Sequence, residues 1–274
     1  MSDNFFSAPE VMQNYVEIGK KKAESPTYKL ILLGIVAGFL IGAGAVVANT
    51  ASHAVTNPGI ARVVSGLLFP FGLAMVMLMG VELFTGNCMI FISLLANRTN
   101  LYGMLRNWAL VYLGNMIGGL LLAYSIVVCG QLNLNGGALA LHTIRLATGK
   151  CALAFAPALI TGILCNILVC LGVLCSLAGR DSVSRILGAY IPVVFFIIGG
   201  FEHSVANMYY IPAGIMAMGV PEYAAAAAAA GVNTASLGWG NFLFVNLVPV
   251  TIGNIIGGAG IATILWFCHA RKTA

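Results

Sequence analysis

The sequence predicts an all-α integral membrane protein: six transmembrane helices arranged as two inverted halves, each half with one helix broken in mid-membrane. Three observations carry this. Of 274 residues, 60% are hydrophobic and 8% charged, with a mean hydropathy of +0.96, whereas a soluble domain carries about 25% charged residues. Two long apolar stretches each hold a glutamate followed five positions later by an asparagine, Glu82 with Asn87 and Glu202 with Asn207. The pattern Asn107…Gly114-Asn115 also recurs as Asn246…Gly253-Asn254, each copy running on into a Gly-Gly pair. With three spans per half, the second copy crosses the bilayer upside down, an architecture that places its site at the repeat interface.

The elements follow in order. Residues 1–29 are polar and mixed in charge, without the apolar region of a cleaved signal. Within them, residues 8–24 read as an amphipathic helix on the membrane surface or as a partly ordered tail. Residues 30–270 read as one six-span membrane domain, with repeat halves at about 30–130 and 150–270 and a tail at 271–274. Residues 30–50 are the first span, long enough for about 30 Å of hydrocarbon. Residues 61–96 are too long for one helix and are interrupted at 82–87. Residues 107–129 form the third span, 130–150 a Gly/Asn-rich loop ending at Lys150, and 151–178 the fourth span. Residues 186–218 are again long and interrupted, at 199–207. The alanine run 224–230 reads as a short helix in an external loop, and 241–268 is the sixth span.

Charge sets the orientation. Lys20, Lys21, Lys22, Lys29, Arg98, Arg106, Arg180, Arg185, Arg271 and Lys272 fall on one side, and Arg62, Arg145 and Lys150 on the other. Ten against three puts both termini in the cytoplasm. The net charge of +5 lies at span ends and is no signature of nucleic-acid binding. The seven cysteines form no CxxC pair and read as small buried hydrophobes. No metal or cofactor is expected.

The breaks hold the chemistry. A charge at membrane depth costs several kcal/mol, about 2.5–3.5 for Asp at a helix centre, so such residues usually face a cavity. A broken helix bares N–H groups that favour anions, and two inverted breaks would aim them at one centre. Thr85 offers a hydroxyl there, and His203 an imidazole suited to proton exchange near neutral pH. Glu82 and Glu202 read as supporting carboxylates: they accept hydrogen bonds at the breaks and orient Thr85 and His203, or simply cap the helices. Lys150 opens the fourth span on the external side, where it attracts anions into a vestibule or snorkels to the interface. His53, His142 and His269 read as surface residues.

With these residues in view, the chain resembles the formate/nitrite transporter family. The resemblance rests on Glu82-Leu83-Phe84-Thr85-Gly86, on the stretch from Gly200-Phe201-Glu202-His203-Ser204 to Ala206-Asn207-Met208, and on the run from Pro249-Val250-Thr251 to Gly257-Gly258. It covers about residues 8–270. It implies an aquaporin-like protomer fold, a homopentamer with one pore per protomer, and passage of formate, nitrite or hydrosulfide through a bacterial-type cytoplasmic membrane. It implies Thr85 and His203 as the central polar pair with Asn207 nearby, and Lys150 with Asn166 toward the external vestibule. It implies apolar constrictions at Phe69, Leu73 and Phe196 on the cytoplasmic side and at Leu83, Phe84 and Val169 on the external side. Glu82 stands where the best-known formate channels have aspartate and nitrite-type members have glutamate. Formate is the favoured substrate as the commonest in the family.

Two other classes fit less well. A neutral-solute channel of the aquaporin kind would carry Asn-Pro-Ala at its breaks, and the single Asn-Pro here, Asn57-Pro58, is in a loop. An intramembrane enzyme is suggested only superficially by Glu202-His203-Ser204. Adjacent helical residues point about 100° apart and do not face one another, and no HExxH is present.

Overall fold

A computed structural model describes residues 5–270. Arg271 and Lys272, and so the tail at 271–274, lie outside them. The described chain is helical apart from loops and one isolated bridge between Phe5 and Gly179. The first half comprises α1 (Ala8–Glu24), α2 (Thr27–Ser52), α3 (Pro58–Leu68), α4 (Phe71–Met79), α5 (Phe84–Asn87), α6 (Ile90–Leu95) and α7 (Leu101–Val128). The second comprises α8 (Ala138–Cys151), α9 (Phe155–Ala178), α10 (Ser182–Gly199), α11 (Ser204–Ala217), α12 (Pro221–Ala229) and α13 (Val248–His269). Among the described residues, six segments are long and apolar enough to span a bilayer: Thr27–Ser52, Pro58–Met79, Leu101–Val128, Phe155–Ala178, Ser182–Gly199 and Asn241–His269.

Local chemistry sets the helix ends. The Glu10 carboxylate accepts from Ser7 N at 2.8 Å and starts α1. Asn57, Asn100 and Asp181 cap α3, α7 and α10 by accepting first-turn amides. α4 and α10 both stop at a left-handed glycine, Gly80 (φ 62°) and Gly200 (φ 70°), where a side chain would be strained. The four-residue gaps that follow are the two breaks. They are narrower than the sequence reading placed them, because the chain is helical again at Phe84 and Ser204.

Packing repeats between the halves. α2 lies on α7 as α9 lies on α13. A Cβ at Gly118 would sit 2.0 Å from Ile35 O, and one at Gly257 2.2 Å from Ile163 O. Each glycine thus permits backbone-to-backbone approach, the usual means of helix association in lipid.

Two elements differ from expectation. α1 is no loose tail but is docked on the body of the chain: its buried face, Val11, Met12, Tyr15, Val16, Gly19 and Ala23, packs against α6, α7 and α13. Residues 138–151, read as part of a loop, form α8, so Lys150 closes that helix rather than opening the fourth span. α8 packs on α11, where a Cβ at Gly214 would meet Ala147 Cβ at 2.3 Å. Tertiary contact, rather than the mixed polarity of the segment, holds it helical.

Candidate functional site

Each break is fastened by the same set of side chains. Asn115 Oδ1 accepts from Phe84 N at 2.9 Å, while its Nδ2 donates to Gly34 O and Glu82 O. In the other half Asn254 Oδ1 accepts from Ser204 N at 2.9 Å, and its Nδ2 donates to Gly162 O and Glu202 O. The recurring Gly-Asn of the sequence is therefore a staple for irregular backbone, which membrane depth tolerates only when protein satisfies it.

The carboxylates sit in matching polar rings. Glu82 Oε2 accepts from Asn87 Nδ2 at 2.6 Å and from Lys22 Nζ at 2.9 Å. Asn87 also donates to Asn107 Oδ1, and Asn107 Nδ2 donates to Lys22 O. In the second half Glu202 accepts from Asn207 Nδ2 at 2.7 Å and from Lys150 Nζ at 2.8 Å. Asn207 donates to Asn246 Oδ1, and Asn246 Nδ2 to Lys150 O. Asn246 lies in Asn241–Leu247, a π-helical segment of a kind frequent at functional sites. Both glutamates thus accept hydrogen bonds from neighbouring side chains, as expected. Neither carboxylate hydrogen-bonds to the Thr85 or His203 side chain, so neither orients them through a direct bond.

Between the breaks, Thr85 Oγ1 and His203 Nε2 lie 2.8 Å apart, with both residues buried. His203 Nδ1 accepts from Ala206 N at 3.1 Å and caps α11. That bond fixes the tautomer: Nδ1 is the acceptor, so the neutral ring carries its proton on Nε2 and donates it to Thr85 Oγ1. The threonine hydroxyl keeps its own proton for another acceptor. Asn207 lies next to the pair and lines the same cavity as His203.

An apolar collar surrounds this centre. Ile41, Phe69, Leu73, Leu83, Val169, Val193, Phe196 and His203 enclose a space of only about 10 Å³. The rings of Phe69 and Phe196 meet edge to face with centroids 5.8 Å apart. A cavity of about 450 Å³ opens on the Lys150 side, lined also by Arg62, His142, Arg145 and Tyr210. One of about 220 Å³ opens on the Lys22 side, under Tyr15 of α1. Burial, and then the neighbouring His53 and Arg145, hold the His142 imidazole below its ordinary value.

Four expected placements are corrected. Phe196 opens onto the Lys150 cavity and Leu83 onto the Lys22 cavity, the reverse of the sides expected for them. The cause is chain direction. α3, with Ala61 and Arg62, starts at the Lys150 cavity, and α4 reaches the Lys22 cavity at Met77 and Gly80, whereas α10 runs the other way and ends at Phe196 and Ile197 beside Lys150. Phe84 is no part of the collar; its ring packs on Tyr112 and Trp108, at 4.8 and 6.3 Å between centroids. Asn166 is not beside Lys150 but is fully buried, with Nδ2 donating to Thr85 O and Asn254 O. Leu73 does border the Lys22 cavity, and Phe69 and Val169 line the collar.

Sequence reasoning missed Lys22, which pairs with Glu82 as Lys150 pairs with Glu202. Asn107 and Asn246 were matched in the sequence, but that each bonds the carbonyl of one of these lysines is visible only in the structure.

Known proteins resemble this chain in sequence and fold. A family profile described as Formate/nitrite transporter matches residues 9–268. A probable formate transporter of Methanothermobacter thermautotrophicus is 33% identical, over 99% of this chain and 100% of that protein. The formate channel FocA of Escherichia coli (strain K12) is 35% identical, over 93% of this chain and 92% of that protein. A solved pentameric formate channel with formate bound superposes with a TM-score of 0.79 at 33% identity, covering 90% of this chain and 97% of that one. A match over nearly the whole length, with six apolar spans, settles the kinship: this chain belongs to the formate/nitrite transporter family.

Proposed function

We propose that each protomer is a channel for formate, assembled as a homopentamer in the cytoplasmic membrane with both termini inside. It is a transport protein and not an enzyme. The observation that carries the reading is the buried Thr85–His203 hydrogen bond inside a water-sized collar, flanked on both sides by a lysine–glutamate pair. The names of the relatives and of the solved neighbour support formate over nitrite or hydrosulfide. The ten basic residues assigned to the α1 side, against three on the other, support the orientation.

The mechanism has three steps. Lys150 on one face and Lys22 on the other draw the monoanion into a vestibule. The collar of Phe69, Leu73, Leu83, Val169 and Phe196 strips its water and blocks hydrated ions. At the centre the Thr85 hydroxyl donates to the substrate oxygen while His203 Nε2–H holds the hydroxyl in place. His203 has no spare proton in this state, since losing the one on Nε2 would leave an imidazolate. A substrate that crosses as the neutral acid therefore brings its proton from vestibule water. Neutralisation matters because a bare charge in an apolar passage costs far more than a neutral molecule.

The matching polar rings also support wider repeat halves than about 30–130 and 150–270: α1 with α2–α7, and α8 with α9–α13. Uptake of formate, nitrite and hydrosulfide by proteoliposomes, singly and in competition, tests the reading. Formate is expected to enter fastest and fastest at acidic pH. A preference for nitrite or hydrosulfide would overturn the substrate assignment, and absence of flux for all three would overturn the channel.

A further inference from the structure

The Lys150-side vestibule has more recognition chemistry than a monoanion needs. Its volume of about 450 Å³ lies in the range of about 300–1,000 Å³ typical of small-molecule sites. The collar beneath it, at about 10 Å³, has room for little more than one water. Several polar side chains lining the cavity are unengaged. Arg145 and His142 have no hydrogen-bond partner among the described residues, nor does the Tyr210 hydroxyl. Asn49, 5% exposed, has an unpartnered buried Nδ2, an amide whose two ends are interchangeable by a flip. Arg145 and Lys150 are five residues apart on α8, about 7.5 Å along its axis. His142 shares the Arg145 face of that helix at three-residue spacing. Lys150 gives one hydrogen bond to Glu202 and hangs over the Tyr210 ring, 5.4 Å from its centroid. The proposed transport of a one-carboxylate substrate uses Lys150 and leaves Arg145 idle.

We propose that this vestibule binds a small dicarboxylate, one carboxylate on the Arg145 guanidinium beside His142 and the other at Lys150 with Asn49 and Tyr210, and that such a dianion, too large for the collar, plugs the pore from this side alone. The plugging half rests on the channel reading, while the binding half does not.

The test uses full-length protein and succinate as the dicarboxylate. Equilibrium dialysis of purified protein with labelled succinate is expected to give one saturable site per protomer. Butyrate, of equal carbon number but one carboxylate, should bind at least tenfold more weakly. Arg145→Gln should weaken succinate at least tenfold and leave butyrate within about twofold, and Asn49→Ala should weaken succinate severalfold. If Arg145→Gln fails to fold, Arg145→Lys, which keeps charge but loses the two-pronged donor set, is expected to lose part of the affinity. In a planar bilayer holding one inserted channel, succinate at matched ionic strength should block formate current from one chamber only. Undiminished succinate binding in both Asn49→Ala and the folded Arg145 variant overturns the site, as does equal binding of butyrate or the absence of saturation. Equal block from both chambers overturns the one-sided plug. Succinate binding intact with no formate current in any condition sinks the channel reading and leaves the site standing.

Discussion

His203 donates to Thr85 only because Ala206 N occupies the other ring nitrogen. Thr85→Val keeps the shape and strands the buried Nε2–H, at a cost of about 1–3 kcal/mol. It should abolish formate flux with modest thermal destabilisation, whereas Thr85→Ser should retain most of the flux. Stopped-flow uptake beside a melting curve checks both, and a fully active Thr85→Val channel would remove the hydroxyl from the mechanism. Glu202 and Lys150 answer a different question. Their side chains are 8% and 13% exposed, and removing one member of a buried pair costs about 3–5 kcal/mol because the other charge is left alone. Glu202→Gln should therefore melt earlier than Lys150→Met/Glu202→Gln, while both lose flux. Thr85, His203 and both glutamates were legible because polarity inside an apolar run has few explanations. The direction in which a buried side chain turns was not: Phe84 faces Trp108 and Asn166 faces the backbone of Thr85, choices set by neighbours far away in the chain.

Among the elements, α1 separates two pictures of the Lys22 mouth. A loosely attached gate would leave the channel body unaffected when removed. Here α1 supplies Lys22 to Glu82, the Lys22 carbonyl to Asn107, the Val16 carbonyl to Ser93, and the Tyr15 hydroxyl to Gly86 O. A Cβ at Gly19 would come within 2.1 Å of Ser93 Oγ, so the contact is close. Deletion of residues 2–24 should therefore lower thermal stability, assembly and flux, and Lys22→Met should lower flux without losing the helix. A truncated protein that melts like the full chain and conducts faster would instead establish α1 as a gate. The spans were legible because about twenty apolar residues in a row have one common use. α1 was legible as an amphipathic helix but not as part of the body, since its apolar face suits lipid or protein equally. α8 was hidden because Gly149 and scattered polar residues weaken its local signal, and it is helical where Ala147 meets Gly214.

At the scale of the whole molecule, one chain contains everything the proposed pore uses: both breaks, the Thr85–His203 pair, the collar and a lysine–glutamate pair on each face. No side chain in that set needs a neighbouring copy to complete it. The apolar faces left open tell a different story about assembly. Phe71, Met79, Phe195 and Ile191 on α4 and α10 are each more than half exposed in the single chain. In a pentamer such faces meet lipid or another protomer, and neither environment reaches the pore centre. In the proposed pentamer the pores would run in parallel, so flux should fall in simple proportion as Thr85→Val protomers are mixed with wild-type ones before reconstitution. A fifth-power fall would mean that every protomer must be intact for any to conduct, and would move the path to the symmetry axis. Native mass spectrometry of the mixed preparation fixes the subunit ratio, so that the shape of the curve rather than its end points decides between the two.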